Sequence, residues 1–171
     1  TGLAVINGVP RVGDFNGDGL LDLGGAMSST WFTFPHAGVP VERISSAVDG
    51  LGNSVAFGYL PMTNSNVYTK GSTALFPVRD YQSAVALVRT MTLTPAGSTA
   101  YSLEYGYSEA KVHAQGRGYL GVASRVVKDL RNGVTTTETY AQDFPKIGLL
   151  ATRIVRQPAP GSQLIEWLTN T

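Results

Sequence analysis

The sequence predicts an all-β protein whose strands are mostly antiparallel hairpins that form an extended or rolled sheet. Three observations lead to this prediction. The chain of 171 residues contains 20 glycines, and only 15% of its residues are charged, against about 25% in an average soluble domain. Several segments alternate apolar and polar side chains with the two-residue period of a strand. Clusters of Gly, Pro, Asn and Asp separate these segments and favour turns.

Composition also restricts the partners and the chemistry. The net charge of +1 gives no basic surface for nucleic acid, so nucleic acid is not expected as a partner. The sequence contains no cysteine, which excludes disulfide bonds, cysteine zinc sites and thiol nucleophiles. No apolar run reaches the roughly 18 residues of a membrane-spanning helix, so no membrane span is expected.

The first residues predict a small hairpin. Leu3–Ile6 and Val9–Val12 have the pattern of short strands, and the Asn7-Gly8 pair between them is typical of a tight turn. The N-terminus lacks the basic region and the cleavage site of a secretory signal, and its pattern is that of a strand entered partway. We therefore expect the chain to be a piece of a longer protein.

The acidic loop of residues 14–22 predicts a calcium site. Oxygen-bearing side chains stand at positions 1, 3, 5 and 9 of this loop, with Gly19 at position 6. Ca²⁺ prefers six to eight oxygen ligands, and a glycine at position 6 allows the backbone to turn around the ion. An Asx-rich turn that needs no metal is the alternative. The predicted ligands are the side chains of Asp14, Asn16, Asp18 and Asp22 and the carbonyl of Leu20.

A calcium ion in this loop would have a structural role. It would pin the loop between two strands, and the affinity gained on folding would become stability. An ion saturated by protein oxygens has no open position for a substrate. The aromatic segment Thr30–Phe34 predicts the next strand, and Pro35–Pro40 predicts a linker. The chain thus divides into an N-terminal calcium-loop unit, residues 1–40, and a larger β region, residues 41–171.

The larger region predicts a series of paired strands. Residues 60–83 have a less regular pattern. The apolar run Ala84–Leu93 is long enough for a helix, but its β-branched residues favour a strand. Tyr101, Leu103, Tyr105 and Tyr107 alternate and fall on one face. The strand segments are Glu42–Val48, Val55–Tyr59, Ala84–Leu93, Ala100–Tyr107, Gly121–Asp129, Val134–Tyr140, Leu149–Gln157 and Gln163–Leu168.

One hairpin pattern recurs inside this region. Asp49 and Asp129 each open a polar, glycine-containing turn, and each following strand ends in a tyrosine, Tyr59 and Tyr140. Repeated hairpins of this kind bury their faces on their neighbours. The spacing between the copies is irregular, so a strict solenoid is not predicted.

Two sets of residues carry a family resemblance. The segment Gly13–Leu23 resembles one FG-GAP or VCBS repeat, the calcium-loop unit of integrin-type propeller blades, and the likeness covers roughly residues 3–34. Roughly residues 42–157 resemble SpvB-type virulence proteins, the B component of insecticidal toxin complexes and RHS/YD-repeat proteins. The residues that carry this second likeness are Ile44, Asp49–Asn53, Tyr59, Gly116–Gly121, Thr135–Thr137, Tyr140, Phe144-Pro145 and Gly148.

The resemblance implies a structural part of a bacterial toxin-related protein that is secreted or delivered to the cell surface. In that family the strands build the wall of a hollow shell around a toxic segment. A single calcium repeat cannot close a propeller, because each blade packs on two neighbours. The implied partners are therefore the remainder of a larger chain or other toxin-complex subunits. Open strand edges also allow a dimer.

The sequence predicts no catalytic and no cofactor-binding residues, and thus a protein that is not an enzyme. His36 and His113 lie far apart and have no ligand pattern around them. Gly116–Gly121 precedes a strand rather than the helix that a phosphate loop requires; a glycine-lined crossing with a buried Arg117 is expected there. The alternative function is an adhesin-like surface module that binds carbohydrate or protein through the Tyr101–Tyr107 row or Trp31.

Overall fold

The computed structural model describes residues 9–27, 29–38, 43–158 and 163–170. Within these residues every regular element is a strand, and no helix occurs. The predicted strand Leu3–Ile6, its turn and the boundary at residues 40 and 41 lie outside the described residues. The strands are β1 Arg11–Gly13, β2 Asp22–Met27, β3 Thr30–Phe34, β4 Ser46–Val48, β5 Ser54–Pro61, β6 Tyr68–Thr69, β7 Val78–Asp80, β8 Ala86–Thr94, β9 Tyr101–Ser108, β10 Lys111–His113, β11 Gly118–Gly121, β12 Ser124–Asp129, β13 Thr135–Tyr140, β14 Leu150–Arg156 and β15 Leu164–Thr169.

The strands form three sheets. A long sheet of nine strands has the order β15-β14-β13-β12-β9-β8-β5-β4, with β6 beside one end of β9. A three-stranded sheet contains β1, β2 and β3, and a second one contains β11, β10 and β7. All pairs are antiparallel except β6 with β9. The prediction of an all-β, mostly antiparallel protein is confirmed.

The long apolar run is a strand and not a helix. β8 spans Ala86–Thr94 and pairs with β5 on one side and β9 on the other. Its β-branched residues fit the pleated surface of a central strand. The turn that follows contains Gly97, which has a φ of 71° and reverses the chain into β9. The predicted strand at Glu42–Val48 is shorter than expected among the described residues, since β4 covers only Ser46–Val48.

The two faces of the long sheet differ in chemistry. On one face, the central strands bring apolar or aromatic side chains together: Leu103 lies opposite Met91, and Tyr105 lies opposite Val127, while Arg125 opposite Tyr107 adds a charge to this face. The predicted row of tyrosines on β9 belongs to this apolar face. The other face carries hydroxyl groups, and two of its cross-strand pairs are hydrogen-bonded. These pairs are Thr92 with Ser102, at 2.8 Å between hydroxyl oxygens, and Thr139 with Thr152, at 2.6 Å.

The most buried apolar cluster comes from the irregular segment after β5. Met62, Val67, Tyr68 and Ala110 form it. The hydroxyl of Tyr68 is satisfied inside the cluster, because it donates to the carbonyl of Tyr81 and accepts the N–H of Ala110. Burial of this ring therefore leaves no polar group without a partner. The side chains packed around the cluster are Leu60, Tyr81, Leu87, Tyr107 and Val122.

The recurring hairpins have the same turn chemistry. Asp49 Oδ1 accepts the N–H groups of Leu51 and Asn53, each at 2.9 Å. Asp129 Oδ1 accepts the N–H of Arg131, also at 2.9 Å. The side-chain hydrogen bond from Asn53 lowers the pKa of Asp49, and the one from Arg131 lowers the pKa of Asp129. Each carboxylate thus holds a turn between two paired strands.

In the part of the chain that the structure describes, no segment is a candidate for a membrane-spanning helix. None of its segments forms a helix with the length and apolar character needed to cross a bilayer.

Candidate metal centre

The acidic loop lies between β1 and β2 and is shaped by two glycines. Gly17 has a φ of 79° and Gly19 a φ of 88°, a backbone region that side chains other than glycine rarely adopt. The two turns bring the loop back on itself, so that its polar side chains face its own backbone. The sequence therefore places glycine where the chain needs left-handed geometry.

Asp14 organises the first half of the loop. Its Oδ1 accepts the N–H of Gly17 at 2.6 Å and the N–H of Asp18 at 3.2 Å. Its Oδ2 accepts the N–H of Gly19 at 2.9 Å. Three backbone donors therefore converge on one carboxylate, which is the arrangement of an Asx-rich turn.

Asn16 and Asp18 face one another across the loop. The Asn16 amide nitrogen donates to Asp18 Oδ2 at 2.9 Å, and Asn16 Oδ1 accepts the N–H of Asp18 at 3.0 Å. Asp18 Oδ1 accepts the N–H of Leu20 at 2.8 Å. Hydrogen bonds thus connect three of the predicted ligand residues, Asp14, Asn16 and Asp18.

Asp22 has a different environment. It is only 1% exposed, and its two oxygens accept the N–H of His36 at 2.8 Å and the N–H of Phe15 at 2.9 Å. The hydrogen bond from His36 lowers the pKa of the Asp22 carboxyl; burial opposes this, and the bond from Phe15 adds to it. The carboxylate joins the start of the loop to the segment after β3. The sequence pattern marked Asp22 as a ligand but did not indicate this role.

The oxygen donors of the loop fit a hard cation, but the orientation of the Asn16 side-chain amide does not. Carboxylate, amide and carbonyl oxygens are the ligands that Ca²⁺ prefers, and each carboxylate oxygen can accept more than one partner. The Asn16 amide, however, presents its nitrogen to the Asp18 carboxylate and its oxygen to the Asp18 N–H, and an ion between the two side chains would require the reverse orientation. Among the described residues, no three or more His, Cys, Asp or Glu side chains form a metal-binding group. The calcium ligand set stays a prediction.

The loop contacts the larger region through its two glycines. The Thr63 hydroxyl donates a hydrogen bond to the carbonyl of Gly17. A Cβ atom at residue 19 would lie 2.8 Å from the carbonyl oxygen of Ala84 and 3.5 Å from Arg43 Nη2. Glycine at this position therefore also permits close approach of two backbones. The loop forms a junction with the segments before β6 and before β8.

The glycine-rich segment around β11 contacts the downstream Phe-Pro pair. The guanidinium carbon of Arg117 lies 4.5 Å from the centre of the Phe144 ring. Gln142 Nε2 donates to the carbonyl oxygens of Glu109 and Gly121, at 2.8 and 2.9 Å. The expectation that Arg117 is buried in a hydrogen-bond network is wrong: the residue is exposed. Its charge stays in water while its flat group stacks on an aromatic ring.

The two candidate aromatic surfaces differ in exposure. Tyr101, Tyr105 and Tyr107 are half-buried in the long sheet. Trp31 is 50% exposed and meets the edge of Phe15, with ring centres 6.1 Å apart at 69°. The N-terminal sheet thus presents more accessible aromatic surface than the tyrosine row.

A cavity lined by Lys111 was not indicated by the sequence. It has a volume of about 480 Å³ and also includes Tyr140 and Asp143 in its wall. On β7, Asp80 lies opposite Lys111 in the strand register. Asp80 Oδ2 accepts the N–H of Ala74 at 3.0 Å, whereas Oδ1 is buried without a hydrogen-bond partner. Asp80 and Lys111 come together because β7 pairs with β10, two strands far apart in the sequence. No local sequence motif predicts this pairing.

The histidines do not form a reactive pair in the described structure. His36 contributes its backbone N–H to Asp22. His113 lies on β10, and its Nδ1 accepts the N–H of Gln115 at 3.2 Å. Each therefore stabilises local structure.

Comparison of the chain with protein-family models, with curated proteins and with solved structures found no match. The likeness to FG-GAP and RHS-type proteins therefore rests on the residues of this sequence alone.

Proposed function

We propose that this chain is a non-enzymatic structural segment of a bacterial toxin-related protein of the RHS type, secreted or surface-delivered. Its strands would extend a β wall in a larger chain or complex, and a calcium ion would rigidify the junction at residues 14–22. The observation that carries the proposal is a nine-stranded, mostly antiparallel sheet whose central strands have an apolar patch on one face and hydroxyl groups on the other.

The asymmetry of the two faces supports a wall. A sheet that separates two environments needs different chemistry on its two sides, as in sheets that alternate apolar and polar residues. Met91, Leu103 and Val127 share one face, while Thr92 and Ser102 share the other. A larger assembly would cover the apolar patch of the first face and leave the hydroxyl groups of the second face hydrated.

The contacts of the loop support a role at a junction. The Gly17 carbonyl and the Thr63 hydroxyl form a hydrogen bond between residues 46 positions apart. An ion that orders the loop would therefore also order the surface that meets the larger region. The contact between Arg117 and Phe144 adds support, because it unites the two most distinctive parts of the RHS-like pattern.

Calorimetric titration with Ca²⁺ tests the calcium part of the proposal. We expect binding heat and a raised melting temperature for the wild-type chain, because a ligand that binds only the folded state stabilises it. Asp18→Asn should weaken both effects, since it removes a charge but can retain the hydrogen bond from the Leu20 N–H.

Asp49→Asn is the matched control for this titration. Asp49 organises a similar Asx turn, which lies outside the acidic loop, so its substitution should leave calcium binding unchanged. Absence of heat and of any melting shift in the wild-type chain would exclude the calcium site. An equal loss in both variants would show a non-specific charge effect.

Hydrogen exchange tests the wall. In a longer product of the same gene, we expect slower amide exchange in β4 than in the isolated chain of 171 residues, because a further strand would cover this edge. Equal exchange rates in the two proteins would contradict the extension of the sheet.

An adhesin-like module is the second candidate function. The observation that favours it is the exposed aromatic group of the N-terminal sheet, where Trp31 is 50% and Phe32 40% exposed. If this surface binds sugars, Trp31→Ala should abolish binding on a glycan array, whereas Phe76→Ala, at another exposed aromatic residue, should not. Equal binding by both variants would exclude this surface.

A further inference from the structure

The two edges of the long sheet are unequal. At one edge β4 has only three residues, Ser46–Val48. At the other edge β15 has six residues, Leu164–Thr169, and all six are exposed. Within the described residues β15 pairs only with β14. A longer edge strand offers more unpaired backbone groups to a further strand.

β15 lacks the features that usually block pairing at an edge. The strand contains no proline and no lysine, and Glu166 is its one charged residue. Its large apolar side chains lie on both faces of the sheet. Their exposed fractions are 50% for Leu164, 53% for Ile165, 68% for Trp167 and 43% for Leu168. Such a strand favours addition of another strand.

The hydrogen-bond pattern identifies the open backbone groups. The N–H of Asn170 donates to the carbonyl of Ala151 on the β14 side. Hydrogen-bonded and non-hydrogen-bonded pairs alternate along an antiparallel ladder. The N–H and C=O groups of Trp167 and Thr169 therefore point away from β14, towards the open edge.

Charge selects the register of a second β15 strand. Two copies centred on Glu166 would oppose their carboxylates, which is unfavourable. Two copies centred on Trp167 instead place Glu166 of one copy opposite Leu168 of the other, and they use the open backbone groups of Trp167. This register also places Ile165 opposite Thr169.

The same register continues a row of alternating charge. Arg125 lies opposite Glu138, and Glu138 lies opposite Arg153. Arg125 Nη2 and Glu138 Oε2 are 2.5 Å apart. Arg153 lies opposite Leu168, and Glu166 of a second copy would follow Leu168 in this row. The carboxylate of Glu166 in the second copy would thus lie on the same face as the exposed Arg153, on its edge side and one strand beyond Leu168.

We propose that a second copy of this chain pairs antiparallel with β15 around a two-fold axis at Trp167. The pairing makes one continuous sheet from the two long sheets and removes the longer open edge of both. A symmetric contact of this type closes on itself, because the same strand serves on both sides. The proposal is independent of calcium binding and of the toxin-related function.

Sedimentation equilibrium of two matched lysine variants tests the surface. We expect a concentration-dependent dimer for the wild-type chain. For Trp167→Lys we expect dimer affinity to fall by at least about tenfold, since a buried charge at a central aromatic position opposes association. Val48→Lys is the control on β4, because Val48 is 69% exposed and Trp167 68% exposed. It should dimerise like the wild type.

Three results would overturn the proposal. These are a monomeric wild-type chain at all concentrations, a Trp167→Lys variant that dimerises with wild-type affinity, and a dimer that only Val48→Lys disrupts. Both substituted side chains are exposed, so both variants should remain folded. Equal melting temperatures of the two variants would verify this. A monomeric wild-type chain would overturn the dimer only. The wall and the calcium site are tested separately, by hydrogen exchange and by calorimetry.

Cysteine cross-linking tests the register. The chain contains no cysteine of its own, so introduced thiols report only on the designed contact. The double variant Ile165→Cys/Thr169→Cys should form a covalent dimer under mild oxidation, because these positions oppose each other at about 5.5 Å between Cα atoms. Thr169→Cys alone should not. Efficient cross-linking of the single variant, or none of the double variant, would contradict the register centred on Trp167.

Discussion

The N-terminal sheet and the long sheet are stabilised in opposite ways. In the N-terminal unit a carboxylate is buried, with Asp22 at 1% exposure, while Leu21 and Trp31 are 68% and 50% exposed. In the larger region the buried residues are apolar or aromatic, with Met62 at 1% and Tyr68 at 2% exposure. Hydrogen bonds to carboxylates shape the first region, and side-chain packing shapes the second.

This difference shows how a three-stranded unit can be ordered without a large core. Its large apolar side chains stay largely exposed, so the three strands bury little apolar surface by themselves. The carboxylate of Asp22 instead ties two segments that are distant in sequence, His36 and Phe15. The unit also contacts the larger region at Thr63. We therefore expect the N-terminal sheet to be well ordered only when it contacts the larger region. The buried cluster around Met62 and Tyr68 should determine the global stability of the chain.

Truncation in the packed cluster should have the largest effect. Met62→Ala should lower the free energy of unfolding by about 2–5 kcal/mol, because it removes buried methylene groups and leaves a cavity. Urea denaturation followed by circular dichroism measures this change. Leu75→Ala, at a residue 82% exposed, should change it by less than about 0.5 kcal/mol. Similar losses in both variants would mean that the cluster is not the stabilising core.

Overpacking of the N-terminal sheet should have the next largest effect. A Cβ atom at Gly24 would lie 2.7 Å from Trp31 Cζ2 and 2.9 Å from Phe15 Cε2. Gly24→Ala should therefore separate the two rings, at a cost of about 1–3 kcal/mol. Thermal unfolding together with tryptophan fluorescence can follow this change. Gly50→Ala, where nothing lies within 4 Å of the added atom, is the control, and an unchanged Gly24→Ala would refute the close packing.

Substitution of Asp22 should act locally. Asparagine keeps one acceptor oxygen but presents an amide nitrogen to the second backbone N–H, so Asp22→Asn should lose one of the two bonds. Amide exchange measured by NMR should accelerate at His36 or Phe15, while β12 and β13 stay protected. Faster exchange throughout the long sheet would show that the two regions are not separate in stability.

Acidification should weaken the same link in the wild-type chain. The folded-state pKa of Asp22 is lowered, so its contribution is present above the unfolded pKa of about 4 and is lost as pH falls through the folded value. Asp22→Asn should not show this loss at the His36 and Phe15 amides. A wild-type chain with the same pH dependence as the variant would contradict the role of the carboxylate.

The ion pair on the long sheet should have the smallest effect. Burial raises the pKa of Glu138, but hydrogen bonds from Tyr140 and Arg125 outweigh it and lower the pKa overall. Burial and the bond to Glu138 raise the pKa of Tyr140 to about 12. Glu138→Gln should cost about 0.5–1 kcal/mol at neutral pH, because the Arg125 side chain is 39% exposed and solvent screens the pair. The difference from wild type should be fully present above the unfolded pKa of about 4.3 and be lost as the pH falls through the lower folded-state pKa.

Strands with local signals were predictable from the sequence, and contacts between distant segments were not. The alternation of Tyr101–Tyr107 located β9, and the Asp49 and Asp129 turns located two hairpins, because period and turn chemistry act within a few residues. Residues 60–83 looked irregular, yet they supply Met62 and Tyr68 to the buried cluster. Their burial depends on neighbours far along the chain.

The candidate loop was recognised for its spacing but not for all its contacts. Asp14, Asn16 and Asp18 do lie together, as a repeating ligand spacing predicts. The bond from the His36 N–H to Asp22 spans 14 positions, and no pattern of residue types encodes it. The calcium ligands themselves stay a prediction that titration can decide.

The strand order of the long sheet has a consequence for how the protein is made. From β13 to β15 each strand pairs with the one that precedes it in the sequence. Short loops connect such neighbours with a small entropic cost of closure, so each hairpin can form as soon as its second strand is available. This part of the sheet can therefore grow in the order of synthesis on the ribosome, and β15 is the last of these strands to join it.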